Sequence, residues 1–295
     1  REINKESMMK IKIDNFEIFK LKQAGLSNQQ VLKVLQYGKI YDQELSLETI
    51  AEASECRNPI LFMERYHKLT FESMERLKED FEKFPSFSIL DDDYPFSLSE
   101  IYDAPVLLFY KGDLNLLKLP KIAVVGSRSC SQLGTKSVKK IIQGLENELV
   151  IVSGLARGID TAAHMSILQA GGRTIAVIGT GLDVYYPKSN KSLQDYIGEH
   201  HLLLSEYGPG EEPLKFHFPA RNRIIAGLCR GVIVAEAKMR SGSLITCERA
   251  MEEGRDVFAI PGSILDGRSD GCHHLIQEGA KLATCGQDIL AEFEF

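Results

Sequence analysis

The spacing of apolar residues changes character partway along the chain. Between residues 10 and 70 it is helical: Phe16, Ile18, Phe19 and Leu21 are followed by a break at Gly25, and Val31, Leu32 and Leu35 resume after Ser27, a residue suited to cap a helix start. Residues 47–55 and 59–67 continue the pattern, and 71–83 reads as a charged helix leading out of it. Residues 85–120 carry Pro85, Pro95, Pro105 and Pro120 and read as an irregular connection with one strand over 106–110. Beyond them, short apolar runs at 122–125, 150–153, 174–178, 202–205, 232–235 and 257–260 alternate with helix-length segments. Runs without polar alternation are what a parallel strand buried on both faces requires, so the pattern predicts βαβ units. The expected organisation is a small helical domain over 10–70, a linker over 71–104 and a sheet domain over 105–290.

Composition narrows the class. The 295 residues are 44% hydrophobic and 26% charged, as in ordinary globular proteins, and no apolar run reaches membrane-spanning length. Residues 1–8 lack the apolar centre of a signal peptide, and Met8 or Met9 is the expected natural start. Six cysteines without a Cys-x-x-Cys pair suggest neither a zinc module nor a disulfide framework, and point to a reducing cytoplasm. Cys272-His273-His274 does not read as a metal site, because adjacent side chains diverge, and no metal is expected.

The net charge of -6 argues against a nucleic-acid partner until its distribution is considered. Glu75 to Asp103 holds nine acids against three bases. Residues 121–145 hold Lys121, Arg128, Lys136, Lys139 and Lys140 with no acid, and residues 215–240 hold six bases against Glu236 alone. The positive charge follows strands, where an open parallel sheet binds its ligands.

Glycine, hydroxyl and cation recur at those strand ends. Gly126-Ser127-Arg128 follows the first run; Ser153, Gly154 and Arg157 accompany the second; Gly179 and Gly181, then Lys188 after Tyr186-Pro187, follow the third; Arg221 and Arg223 come next, and then Arg240, Ser241 and Gly242. Glycine admits close backbone approach, hydroxyls donate, and Arg or Lys supplies charge, so each cluster suits a phosphate. A mononucleotide needs two or three such places, and the surplus favours a polymer backbone. Tyr185 or Tyr186 offers a surface for base stacking, and Arg128 is placed on the phosphate path. The dinucleotide fingerprint fails for want of a third glycine after Gly179 and Gly181, and neither a P-loop nor a G-x-S-x-G turn is present. Asp91-Asp92-Asp93 reads as a solvated turn. Glu206 and Glu236, each just past a strand, are either catalytic acids or acceptors that fix the loops.

In combination, these strand-end motifs, together with Ala163-His164, Ser241-Gly242-Ser243-Leu244-Ile245-Thr246, Gly254-Arg255 and Pro261-Gly262-Ser263, resemble the DNA processing protein A (DprA, or Smf) family over residues 90–284. The resemblance implies an α/β fold: an extended Rossmann-like parallel sheet preceded by a small all-α domain of the sterile-alpha-motif type. It implies a non-catalytic protein without cofactor that binds single-stranded DNA during natural transformation, shields it and loads the recombinase RecA. Arg128, Lys188, Arg221 and Arg223 occupy basic positions of the family's motifs. The competing class is a nucleotide-cleaving phosphoribohydrolase on a similar sheet, from whose P-G-G-x-G-T-x-x-E segment residues 240–248 depart. Near the end, apolar residues including Ile276 and Leu282, with Phe293 and Phe295 beyond them, suggest a homodimer surface, the alternative being closure of the core.

Overall fold

The computed structural model describes residues 10–41 and 44–293; Met8, Met9 and Phe295 lie outside the described residues. The chain divides into two compact units, one running to Tyr94 and including Tyr102–Phe109, the other comprising Pro95–Ile101 and everything from Tyr110 onward.

The first unit contains the predicted helices, and their starts are set by polar caps. Helix α1 (Asn15–Gln23) begins where the Asp14 carboxylate accepts the Glu17 N–H at 2.8 Å. Helix α2 (Asn28–Tyr41) follows the Gly25 break. Helices α3 (Leu47–Ala53) and α4 (Pro59–Phe71) are capped by Ser46 and Asn58. Ile18, Leu21, Val31, Val34 and Ile50 are fully buried. Inside this small core Glu17 pairs with Lys20 at 2.8 Å and accepts the Tyr66 hydroxyl at 2.6 Å. Burial, with the Glu17 carboxylate beside it, holds Tyr66 protonated well above its ordinary range.

The segment 71–104 is not a featureless linker. It carries α5 (Met74–Glu82), strand β1 (Ser86–Ser88), which pairs antiparallel with the start of β2 (Leu107–Gly112), and the single turn α6 (Phe96–Ser99). A three-residue strand and a four-residue helix are too short to impose a period on the sequence. Asp91 accepts the Ser88 N–H at 2.6 Å and so closes the turn after β1.

The second unit holds the regular alternation: β3 (Lys121–Gly126), α7 (Gln132–Gln143), β4 (Val150–Ser153), α8 (Ile159–Gln169), β5 (Thr174–Ile178), α9 (Lys191–His200), β6 (Leu202–Ser205), α10 (His217–Leu228), β7 (Gly231–Ala235), α11 (Gly242–Glu252), β8 (Asp256–Ala259), α12 (Asp270–Gln277), β9 (Lys281–Leu282) and α13 (Gln287–Leu290). Within this unit the strands lie in the order β6-β5-β4-β3-β7-β8-β9, and all of these pairings are parallel. Every residue of β4, β5, β6 and β7 is buried, which is why these strands read as unbroken apolar runs. Strand β3 lies between β4, the next in sequence, and β7, four strands later. The strand order reverses at that point, and a crevice opens outside the strand ends there.

The chain's last elements mostly complete the core. Leu275, Ile289 and Phe293 are buried, and Ile289 and Phe293 pack with Ile122, Ile141, Ile167 and Phe258. Ile276 is half-buried, whereas Leu282 on the short strand β9 is 51% exposed. Of the Cys-His-His run, Cys272 is buried under the Ala237 N–H while His273 turns to the backbone of Gly262, so the neighbours diverge.

One buried group gives the fold a pH signature. His164 on α8 is fully buried; the Thr174 hydroxyl donates to the Ile151 carbonyl, so the same oxygen accepts the His164 Nδ1–H at 2.7 Å. Burial, reinforced by Arg221 and His201, lowers His164 from 6.5 to about 3. Between those values the unfolded chain binds a proton that the folded chain refuses. His164 therefore contributes stability above pH 6.5 that is lost on acidification toward about 3, at a limiting slope of about 1.4 kcal/mol per pH unit. Urea unfolding between pH 7 and 4 is expected to show a steeper loss in the wild type than in His164→Gln, and equal slopes would contradict the assignment.

Candidate nucleic-acid interface

A cleft of about 750 Å³ opens at the ends of β3 and β7. Its position follows from the strand order, and its floor follows from Gly126. A Cβ at Gly126 would lie 2.1 Å from the Ala235 carbonyl oxygen and 2.7 Å from the Ile159 side chain, so only glycine lets β3 end against β7 and α8. Just beyond, the Ser243 hydroxyl at the start of α11 donates to the Gly126 carbonyl at 2.9 Å. Ser241 caps the same helix by accepting the Leu244 N–H at 3.2 Å. Gly126, Ser127, Arg128, Ser241 and Gly242 all line the cleft.

Exposed Arg128 lies with its guanidinium 4.9 Å from the centre of the Phe218 ring, and Phe218 lies 5.3 Å from the ring of Tyr186. Both rings line the cleft, and Tyr186 is 44% exposed. Tyr185 is otherwise engaged: its hydroxyl donates to Asp195 at 2.8 Å, and Lys191 sits over its ring. A cation, two aromatic faces and the N-terminus of α11 thus border one opening, an arrangement able to hold a phosphate and a stacked base together.

Several expected site residues are tied into the scaffold by buried hydrogen bonds and ion pairs. Ser153 is fully buried and its hydroxyl donates to the Val124 carbonyl at 2.7 Å, out of reach of any surface ligand. Gly154, Gly179 and Gly181 are buried as well. Arg221 lines the cleft but is only 3% exposed; one of its terminal nitrogens donates to the carbonyls of Gly154 and Val177, and its Nε donates to Asn222 at 3.0 Å. Arg223 forms a buried ion pair with Glu206 at 2.6 Å. Arg157, Lys188 and Arg240 are exposed but do not line the cleft. Glu236 accepts both the N–H and the hydroxyl of Ser131, so it fixes a loop, as Glu206 does.

The cleft is also lined by Asp160, Lys215, Phe218, Asn222 and Lys238, which stand in the strand-exit motifs or the base-rich stretch but are not among the candidate site residues read from the sequence. Lys215 and Lys238 belong to the base-rich stretch and were visible there as charge. Phe218 opens the motif Phe218-Pro219-Ala220-Arg221-Asn222-Arg223 that contributes to the family resemblance, but an aromatic beside a proline reads equally well as packing. Asp160 is buried at the start of α8, and burial raises its carboxyl above the usual range against the opposing pull of Arg221. Burial likewise lowers Arg221 to about 10, which leaves it cationic at neutral pH.

Comparison with known proteins gives a consistent picture. Residues 86–294 match the family model for DNA recombination-mediator protein A, and residues 13–74 match that for the DNA processing protein A sterile alpha motif domain. DNA processing protein DprA of Streptococcus pneumoniae is 78% identical over 285 residues, which span 97% of this chain and all of that protein. Its X-ray structure superposes with a TM-score of 0.94. DprA of Bacillus subtilis is 49% identical over 205 residues, 68% of each chain. DNA processing protein A from Helicobacter pylori, whose structure describes a single-stranded DNA binding mode, has a TM-score of 0.64 at 30% identity, covering 72% of this chain and 99% of that one.

The burial of Arg221 yields a test of its role. Arg221→Met strands the Gly154 and Val177 carbonyls, each at a cost of about 1–3 kcal/mol. Urea denaturation is expected to show a loss of roughly 2–6 kcal/mol, with Arg221→Lys recovering only part of it. An unchanged unfolding midpoint would return Arg221 to the ligand-binding surface.

Proposed function

The chain belongs to the DNA recombination-mediator protein A family, also called DprA or Smf, and on that premise we propose that it binds single-stranded DNA in the cleft between the ends of β3 and β7. The observation that carries this reading is the Arg128 guanidinium over Phe218 beside Tyr186. Phosphates of the strand pass Arg128, Lys215, Lys238 and the first N–H groups of α11, while bases stack on the aromatic pair. Lys188, Arg157 and Arg240, exposed outside the cleft lining, extend the positive path for a longer strand. Ser127, Ser241 and Gly242 add hydroxyl and backbone donors at the cleft itself.

Within this reading the protein serves natural transformation and recombination without catalysis: it holds the incoming strand, keeps nucleases from it and passes it to RecA. The recombination-mediator description of its family supports the last step. Exposed Leu282 and half-buried Ile276 are the residues proposed for a homodimer surface, which would raise avidity on a long strand. Among the described residues no helix is long and apolar enough to cross a membrane, and the unpaired cysteines suit a cytoplasmic protein. Glu206 and Glu236, the acids a nucleotide-cleaving enzyme would need, are occupied by Arg223 and Ser131, which disfavours that alternative.

Fluorescence anisotropy with an oligothymidylate across a salt series tests the reading. Arg128→Ala is expected to weaken binding and to reduce the slope of log K against log salt by about 0.7, the share of one phosphate on a single strand. Phe218→Ala is expected to cost about 1–3 kcal/mol with the slope nearly unchanged. Affinities and slopes equal to wild type in both variants would contradict it.

A further inference from the structure

The strand order puts the crevice of this sheet between β3 and β7, and in open α/β folds of this kind a nucleotide's phosphate sits there on the N-terminus of the helix that follows the central strand. In this chain that helix is α7, capped by Ser131. A protein carboxylate already occupies the place. Glu236, the first residue after β7 and only 9% exposed, reaches across the crevice. One of its oxygens accepts the Ser131 N–H at 2.6 Å and the other accepts the Ser131 hydroxyl, which in turn accepts the Gly134 N–H at 3.0 Å.

Two further features show that the local backbone accommodates this side chain. A Cβ at Gly134 would lie 2.5 to 2.8 Å from the Glu236 carboxyl atoms, so the first turn of α7 is open only because residue 134 is glycine. Glu236 itself has a φ of 47°, in the left-handed region that a residue with a side chain seldom adopts. Both features bring the carboxylate to the helix end, where its charge meets the positive pole of the helix.

We propose that Glu236 is a specificity-determining residue: it fills the phosphate position at the start of α7 with the chain's own anion, and so excludes free phosphate monoesters and mononucleotides from the crevice. Phosphates of a polymer pass along the rim at Arg128 and are not required to enter. A protein that must hold a single strand amid abundant free nucleotides gains discrimination from a plug of this kind, because repulsion by a fixed buried charge acts at the one position a lone phosphate would use. The proposal rests on the reading of the cleft as the DNA site.

The test uses the full chain with two variants, Glu236→Gln, which keeps the shape and removes the charge, and Glu236→Ala, which vacates the position. Titration calorimetry with inorganic phosphate and with thymidine 5′-monophosphate, at matched ionic strength, is expected to find weak or no binding to wild type and at least about tenfold tighter binding to one or both variants. Adding Ser131→Ala to the variant that gains affinity is expected to abolish the gain. Wild type binding either ligand as tightly as the variants would overturn the proposal. So would folded variants that gain nothing, or circular dichroism showing both variants unfolded, since Glu236 would then be a structural cap alone. Oligothymidylate binding by wild type reports separately on the DNA reading, so failure of one can be told from failure of the other.

Discussion

The close approach of β3 and β7 at Gly126 is the constraint on which the cleft depends. Because position 126 has no side chain, the two strand ends meet with the Ala235 carbonyl against the Gly126 Cα, and the chains leaving them diverge into α7 and α11. Ser243 fastens the start of α11 to Gly126, and Glu236 fastens the start of α7 to the end of β7. Two helix N-termini are thereby held at the borders of one opening by bonds that do not depend on a ligand. Under the proposed function, such preorganisation would let a flexible strand bind without ordering the protein at the same moment.

The cations divide into two populations with different work. Arg221 and Arg223 are built into the protein, one spanning carbonyls at the ends of β4 and β5, the other paired with Glu206. Arg128, Lys215 and Lys238 are exposed at the cleft. A guanidinium suits either task, since its planar fork satisfies buried carbonyls as readily as phosphate oxygens. Residue type at a strand end therefore does not separate scaffold from surface; depth along the following helix does. Arg221 lies a full turn inside α10, facing the sheet, whereas Arg128 stands in the loop after β3.

The same physics explains what the sequence disclosed. Six strands were legible because a parallel strand covered on both faces must be apolar throughout, and 150–153, 174–178 and 202–205 fall on β4, β5 and β6 as observed. Helices of the first unit were legible through the helical spacing of their apolar residues, with Ser27 marking the start of α2. β1 and α6 were not, because three or four residues carry no period, and the stretch holding them passed for a linker. Gly126, Ser127, Arg128, Ser241 and Gly242, which glycine, hydroxyl and charge pick out in the sequence, come together along the lining of the β3–β7 cleft. That Phe218 lies between Arg128 and Tyr186 was not legible, because which neighbours share a cleft is a fact of the tertiary structure. Ser153 was not legible as a buried residue, because residue type alone does not show that its hydroxyl turns into the sheet to the Val124 carbonyl.

The central claim is that a single strand lies in the β3–β7 cleft with its bases on the Phe218–Tyr186 pair. Photo-crosslinking of the wild-type protein to a short oligonucleotide carrying 5-iododeoxyuridine, followed by peptide mass spectrometry, tests it most directly. The account predicts crosslinks at Phe218 or Tyr186, competed away by unlabelled single strand. Crosslinks confined to the helical unit, or spread evenly over the surface with the cleft unmodified, would contradict it.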